Sequence, residues 1–419
     1  MKNLKILYIC LFSLTLSSCA YYEKVFKKES TEFEPKPEVS TNYIIEELWS
    51  IDAGGGRSPK STVLQPSFDS KNNIYTIDSD GLINSIDSQT GDRNWSQNMN
   101  LDVTSGITSY KDLVFFGTTD GKIYAIKSDR LKESDNLFNV YSIPFISDSL
   151  PVKPEWHFQL KSESIAPVVG SYNNIFIKTN DGDTLAIDIT DGSLSWKNIS
   201  NNIPLSLRGS GSASVDYENI YVARDDGTLI SLLQQSGKLN WYISISAKSG
   251  RNELESLRDV EMSPYVDSGL IFVGSYQGNL IAVDSISGSL LWSTPISVVS
   301  NLDGDDERLF VSSVDGYLHA LNKYNGETLW KTKLVEREKL LQPVVLENTV
   351  IVMNDQGYIS LLDKFNGKIL EYEKITGEID YQIRILKSNK SFFILEKNGK
   401  LTAFNVFERK YEDSSFFSW

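Results

Sequence analysis

Few side chains in this sequence could make or break bonds. Its 419 residues hold two histidines, His157 and His319, and two cysteines, Cys10 and Cys19. Both cysteines lie near the N-terminus, so the rest of the chain has neither a disulfide framework nor a thiolate metal site. The histidines are far apart in the repeat described below, and each reads as an ordinary repeat side chain. The chemistry that stands out is that of docking. Leu205, Leu207 and Arg208 lie in the stretch Leu-Ser-Leu-Arg-Gly, and Asp259 and Glu261 in Asp-Val-Glu. Leucines supply apolar contact area, and a partly desolvated arginine is a common binding hot spot. The bland alternative is that Arg208 and Asp259 simply pair with each other as a structural ion pair. No catalytic residue, cofactor or metal ligand is assigned.

These residues must be positioned by a repeat. At residues 271–292 a β-branched and aromatic run (Ile271 to Val273) ends in a turn at Gly278. A second apolar run (Leu280 to Val283) ends at Gly288, and a third ends at Trp292. Glycine supplies the positive φ of tight hairpins, so the unit predicts three antiparallel strands joined by two turns. The unbroken apolar run 280–283 predicts a sheet buried on both faces. The first turn glycine recurs at Gly81, Gly121, Gly182, Gly227, Gly278, Gly316, Gly357 and Gly399, with gaps of 40, 61, 45, 51, 38, 41 and 42 residues. Trp95, Trp196, Trp241, Trp292 and Trp330 each follow a second turn glycine. Eight copies near a forty-residue period, each with room for four strands, predict an all-β, eight-bladed β-propeller.

The repeat is incomplete at both ends. Residues 46–51 carry Trp49 without a preceding hairpin, and the strand after Gly399 lacks a closing tryptophan. The N-terminal strand is therefore expected to complete the last blade and remove an exposed edge. The repeat at Gly357 has Tyr372 where tryptophan is expected. The 61-residue gap holds an insertion at 128–155, either a solvated excursion or a binding loop, and the tail 413–419 is apolar. Arg208 precedes Gly227 by nineteen residues and Asp259 precedes Gly278 by nineteen, so both should sit at one end of neighbouring blades.

Ahead of the propeller, expected at 43–412, a short basic region and an apolar stretch from Ile6 to Leu16 fit a secretory signal over residues 1–18. Leu16-Ser17-Ser18-Cys19 resembles the bacterial lipobox, which implies lipid attachment at Cys19. Ala20 at the next position implies sorting to the outer membrane. Residues 19–42 are then a lipidated cysteine and a flexible linker. The formal charge is −14, or −16 without Lys2 and Lys5, and no basic stripe offsets it. That argues against nucleic acid and against lying flat on an anionic membrane.

The two docking stretches, with Ser212-Ala213 and Ser263-Pro264 after them, resemble the BamB family of outer-membrane lipoproteins. The resemblance runs from the lipobox through all eight repeats. It implies a non-catalytic scaffold of the β-barrel assembly machinery on the periplasmic face of the outer membrane. The implied partners are the POTRA region of the BamA insertase, other assembly subunits and unfolded outer-membrane proteins. It implicates Leu205, Leu207, Arg208, Asp259 and Glu261 in BamA binding. The chain departs from the family pattern at Glu261, where aspartate is usual, and at Arg258, which competes for Asp259. Two alternatives remain: a propeller lipoprotein with another envelope partner, and a quinone-dependent dehydrogenase on the same fold.

Overall fold

The computed structural model describes residues 43–54, 64–128, 153–200, 211–245, 262–275, 278–335, 339–380, 383–388 and 390–408. These residues form eight four-stranded antiparallel sheets and no helix. Each sheet is one blade of a β-propeller, as the repeat predicts. Blades 1 to 7 occupy residues 67–98, 108–159, 169–198, 214–244, 265–294, 303–333 and 344–374. Blade 8 takes Leu386–Ser388, Ser391–Leu395 and Lys400–Glu408, and its outermost strand is Tyr43–Asp52. That strand pairs antiparallel along its length, from Tyr43 opposite Glu408 to Asp52 opposite Lys400. The ring is thus closed by the first strand of the propeller.

The blades are buried on both faces. Leu280, Ile281, Ala282 and Val283 are all buried, and their core joins residues of three consecutive blades, from Tyr221 to Leu321. The innermost strands are only two or three residues long in most blades, such as Ser214–Val215 and Tyr265–Asp267.

One tryptophan geometry joins six of the eight blades to the next. Trp49, Trp156, Trp196, Trp241, Trp292 and Trp330 each donate an indole N–H to a backbone carbonyl of the following blade, at 2.6–3.2 Å. The acceptor always lies three residues before the second turn glycine of that blade. The indole ring covers the glycine itself. A Cβ at Gly237 would lie 2.3 Å from Trp196, and one at Gly367 2.4 Å from Trp330. These turns also require φ near +70°. Glycine is therefore needed twice over, for backbone conformation and for clearance. Opposite each tryptophan stands a small residue, for example Ala282 facing Trp292 and Ser231 facing Trp241. Across that small residue, an aromatic ring of the strand beyond packs against the tryptophan, Phe272 with Trp292 at 5.8 Å and Phe176 with Trp196 at 5.7 Å.

Two blades depart from this pattern for identifiable reasons. The second turn of blade 2 is replaced by the insertion, whose residues 129–152 lie outside the described residues. Trp95 of blade 1 consequently finds no partner for its indole N–H among the described residues, although it is fully buried. In blade 7, Tyr372 occupies the tryptophan register opposite Ser360, as expected.

Replacing Trp292 by Phe removes a buried hydrogen bond and should cost about 1 kcal/mol more than Trp95→Phe. Urea midpoints of the two variants measure the difference. Equal losses would show that the inter-blade hydrogen bond contributes nothing.

Candidate docking face and central channel

An antiparallel meander puts its hairpins at alternate ends. The first turns of the blades, and the third turns of the six blades whose described residues include one, therefore lie on one face of the ring. The turns at the repeat glycines Gly81 to Gly399 lie on the other face, with all the connections between blades. That second face is built from segments whose length the fold does not fix.

Leu205, Leu207 and Arg208 fall in the connection between blades 3 and 4, and Asp259 and Glu261 in the connection between blades 4 and 5. All five lie outside the described residues, as does Cys19. Their described flanks are held firmly. Ser200 N donates to Asp183 Oδ1 at 3.0 Å, and Ile245 N to Gly227 O at 2.8 Å, which fixes the two points of departure. At the points of return, Ser212 N donates to Ser263 Oγ at 3.0 Å, and Ser214 Oγ donates to Pro264 O. The two connections thus leave and re-enter the ring side by side, at equivalent positions of neighbouring blades. Ala213 and Pro264 each immediately precede an innermost strand, as their equal spacing in the repeat requires.

The returning residues also form part of the wall of the channel along the ring axis. Ser212, Ser263, Asn301, Gln342 and Arg384 hold one position in blades 4 to 8, each fifteen residues before its repeat glycine. They line a cavity of about 550 Å³ together with inner-strand residues such as Thr108, Tyr110 and Tyr265. Successive blades are linked here by polar contacts. Ser263 N donates to Asn301 Oδ1 at 2.9 Å, and Gln342 Nε2 to Leu302 O at 3.4 Å. Arg384 differs, because its Nη2 reaches from blade 8 to Ser263 Oγ of blade 5, at 3.5 Å. Burial pushes this guanidinium down from its ordinary pKa, and Asp303 partly opposes the shift.

Asp303 is itself occupied. Its Oδ1 accepts from Gly304 N at 3.0 Å, and its Oδ2 from Val345 N at 2.8 Å and from Lys387 Nζ. Burial, with the negative charges of Asp303 and Asp267 nearby, raises the Tyr265 phenol far above its usual pKa, so Tyr265 stays protonated. The sequence reading passed over Arg384, Asp303 and Lys387. The signal was available in the shared fifteen-residue spacing, which puts an arginine where other blades carry small or amide side chains.

The two histidines lie in blades 2 and 6. His157 packs beside Tyr124 at 5.7 Å. His319 is buried, its Nε2 lies 3.1 Å from Ser313 Oγ, and its Nδ1 lacks a partner among the described residues.

A family model described as "Outer membrane protein assembly factor BamB" matches residues 152–332 and 297–407, well over half of the chain. The chain belongs to the BamB family. A Vibrio cholerae protein named outer membrane protein assembly factor BamB is 23% identical over 392 residues, 93% of this chain and 95% of that protein. The Yersinia pestis BamB is 25% identical over 321 residues, 74% of this chain and 76% of its own length. The crystal structure of BamB from Moraxella catarrhalis has a TM-score of 0.72 at 21% identity, over 86% of this chain and all of that one. The fold is wider than the BamB family. A quinohemoprotein alcohol dehydrogenase from Comamonas testosteroni has a TM-score of 0.63 at 11% identity, covering 86% of this chain and 76% of that one, which is a likeness of fold alone.

Burial lowers the His319 pKa below its ordinary value, against the pull of Asp315. The unfolded chain then binds a proton at higher pH than the folded one. The resulting loss of stability begins as pH falls through the unfolded value near 6.5. His319→Gln should flatten the decline in melting temperature between pH 7.5 and 5.5. A decline as steep as that of the wild type would exclude His319 as its source.

Proposed function

We propose that the protein is a non-catalytic scaffold lipoprotein of the outer-membrane β-barrel assembly machinery. In this reading it is anchored through Cys19 on the periplasmic face and binds the POTRA region of a BamA-like insertase. The observation that carries the proposal is the paired departure and return of two connections on one face of a BamB-family propeller. Blades 3 to 5 present them as neighbours, and these connections contain Leu205, Leu207, Arg208, Asp259 and Glu261. Two leucines beside an arginine and two carboxylates supply the apolar core and the desolvated charge of a protein interface. The ring fixes where both connections leave and re-enter it. Other assembly subunits and unfolded outer-membrane proteins are further partners in this reading, with no nucleic acid and no cofactor.

The direct test is a binding titration of the lipid-free protein against the POTRA region. Arg208→Glu and Asp259→Arg should each weaken binding by about 2 kcal/mol, some thirty-fold, with unchanged thermal stability. Wild-type binding that both variants retain would keep the partner and move the site. Absence of wild-type binding would defeat the partner assignment. Separately, Cys19→Ser should shift the protein from the membrane fraction to the soluble periplasmic fraction, because a single thioether carries the lipid anchor in this proposal. Retention in the membrane fraction would overturn the anchor assignment.

A further inference from the structure

We infer that the central channel is a binding site for a small monoanionic carboxylate, held by Arg384. The inference goes beyond the scaffold role and does not depend on it.

The site begins with an arginine that lacks adequate partners. A guanidinium offers five N–H donors in a planar fork. Among the described residues, that of Arg384 makes one hydrogen bond, to Ser263 Oγ at the long limit of 3.5 Å. Blade 5 is three blades away from blade 8 in a ring of eight, so the side chain extends over the channel and does not lie along its wall. Arginine in such surroundings stays charged, and its uncompensated charge is costly in a largely protein environment.

The nearby acid does not neutralise it. Asp303 is fully engaged by two backbone N–H groups and by Lys387. Among the described residues that line the channel, Arg384 and Asp303 are the only charged ones. Counting Lys387 as the counterion of Asp303 leaves one net positive charge, that of Arg384. A monoanion balances that charge, whereas a phosphate dianion would overshoot it beside Asp303. A carboxylate also matches the fork of the guanidinium with two parallel hydrogen bonds.

The cavity suits a ligand of this class. Its volume of about 550 Å³ accommodates a small organic acid or a short peptide end. The hydroxyls of Ser67, Thr108 and Ser214 already donate to backbone carbonyls, so the wall adds the Ser109 hydroxyl and apolar surface from Phe68 and Pro167. Elsewhere the protein is strongly acidic, at −14, which disfavours nonspecific retention of anions. An anion that binds is therefore held by local contacts. A free organic acid and the C-terminal carboxylate of a peptide share this chemistry.

Saturation-transfer NMR titrations on the full-length protein test the site. The probes are N-acetylglycine, N-acetylglycinamide, N-acetyl-triglycine and inorganic phosphate. N-acetylglycine should bind with a Kd on the order of millimolar, and the uncharged amide should not bind. Arg384→Gln should weaken N-acetylglycine by roughly tenfold or more. If that variant does not fold, Arg384→Lys, which keeps the charge and loses the fork, should still weaken binding several-fold. Tighter binding of N-acetyl-triglycine identifies a peptide end as the source, and equal binding a free acid. Failure of both carboxylate probes to bind the wild type, preference for phosphate, or unchanged affinity in a folded Arg384 variant would each overturn the site.

Discussion

The fold depends on one contact, repeated around the ring: an indole laid over the turn glycine of the next blade. A sheet buried on both faces has no stability by itself, because each face needs a neighbour. The indole sets how closely that neighbour approaches. Its N–H fixes the height of one blade against the next, and its ring face fixes the spacing. Because the acceptor is a backbone carbonyl, the contact does not depend on the side chain at that position. Ser88, Ile189, Gln234, Ser285, Lys323 and Lys364 all serve. This is how blades of divergent sequence can share one geometry.

With the sheets held this way, most variation falls on the face that carries the connections; the exception is the insertion in blade 2, which takes the place of a turn on the opposite face and leaves the Trp95 indole without the contact made elsewhere. A hairpin turn on the opposite face cannot lengthen freely without disturbing the strand register that presents its glycine to the tryptophan. A connection between blades has no such duty. The two long connections around blade 4 use that freedom, and their ends are tied to each other through Ser212 and Ser263. The same residues form part of the channel wall, so the partner-facing loops and the axial cavity share a frame. This chain and the quinohemoprotein alcohol dehydrogenase of Comamonas testosteroni thus share a ring at 11% identity.

Much of this was legible in the sequence, for physical reasons that differ by element. The strands around Leu280–Val283 announced themselves because double-sided burial leaves an unbroken apolar run there. The turn glycines were visible because no other residue meets both the backbone angle and the clearance. Closure by residues 46–51 followed from Trp49 lacking a hairpin of its own. The innermost strands were not separately legible, since two or three residues cannot show a period. Arg384 was missed because nothing in its own neighbourhood marks it. Only superposition of the repeats shows that it stands in a ring of small and amide side chains, and only the fold shows that it reaches from blade 8 to blade 5. The docking residues were legible only as positions relative to the repeat, and the structure anchors the ends of their segments.

The pairing of Tyr43–Asp52 with Lys400–Glu408 also imposes an order on folding. The strand made first receives its hydrogen-bonding partner last, after every other blade has been synthesised. Closing so long a loop adds little to the equilibrium cost, which grows only logarithmically, but contacts this distant in sequence slow the search. Until then, a segment with Ile44, Ile45, Leu48, Trp49 and Ile51 waits as an unpaired edge, the kind of segment that aggregates. Glu46 and Glu47 interrupt it, and both remain exposed once it is paired. Their charges act as gatekeepers for the incomplete chain, a duty that ends when the ring closes.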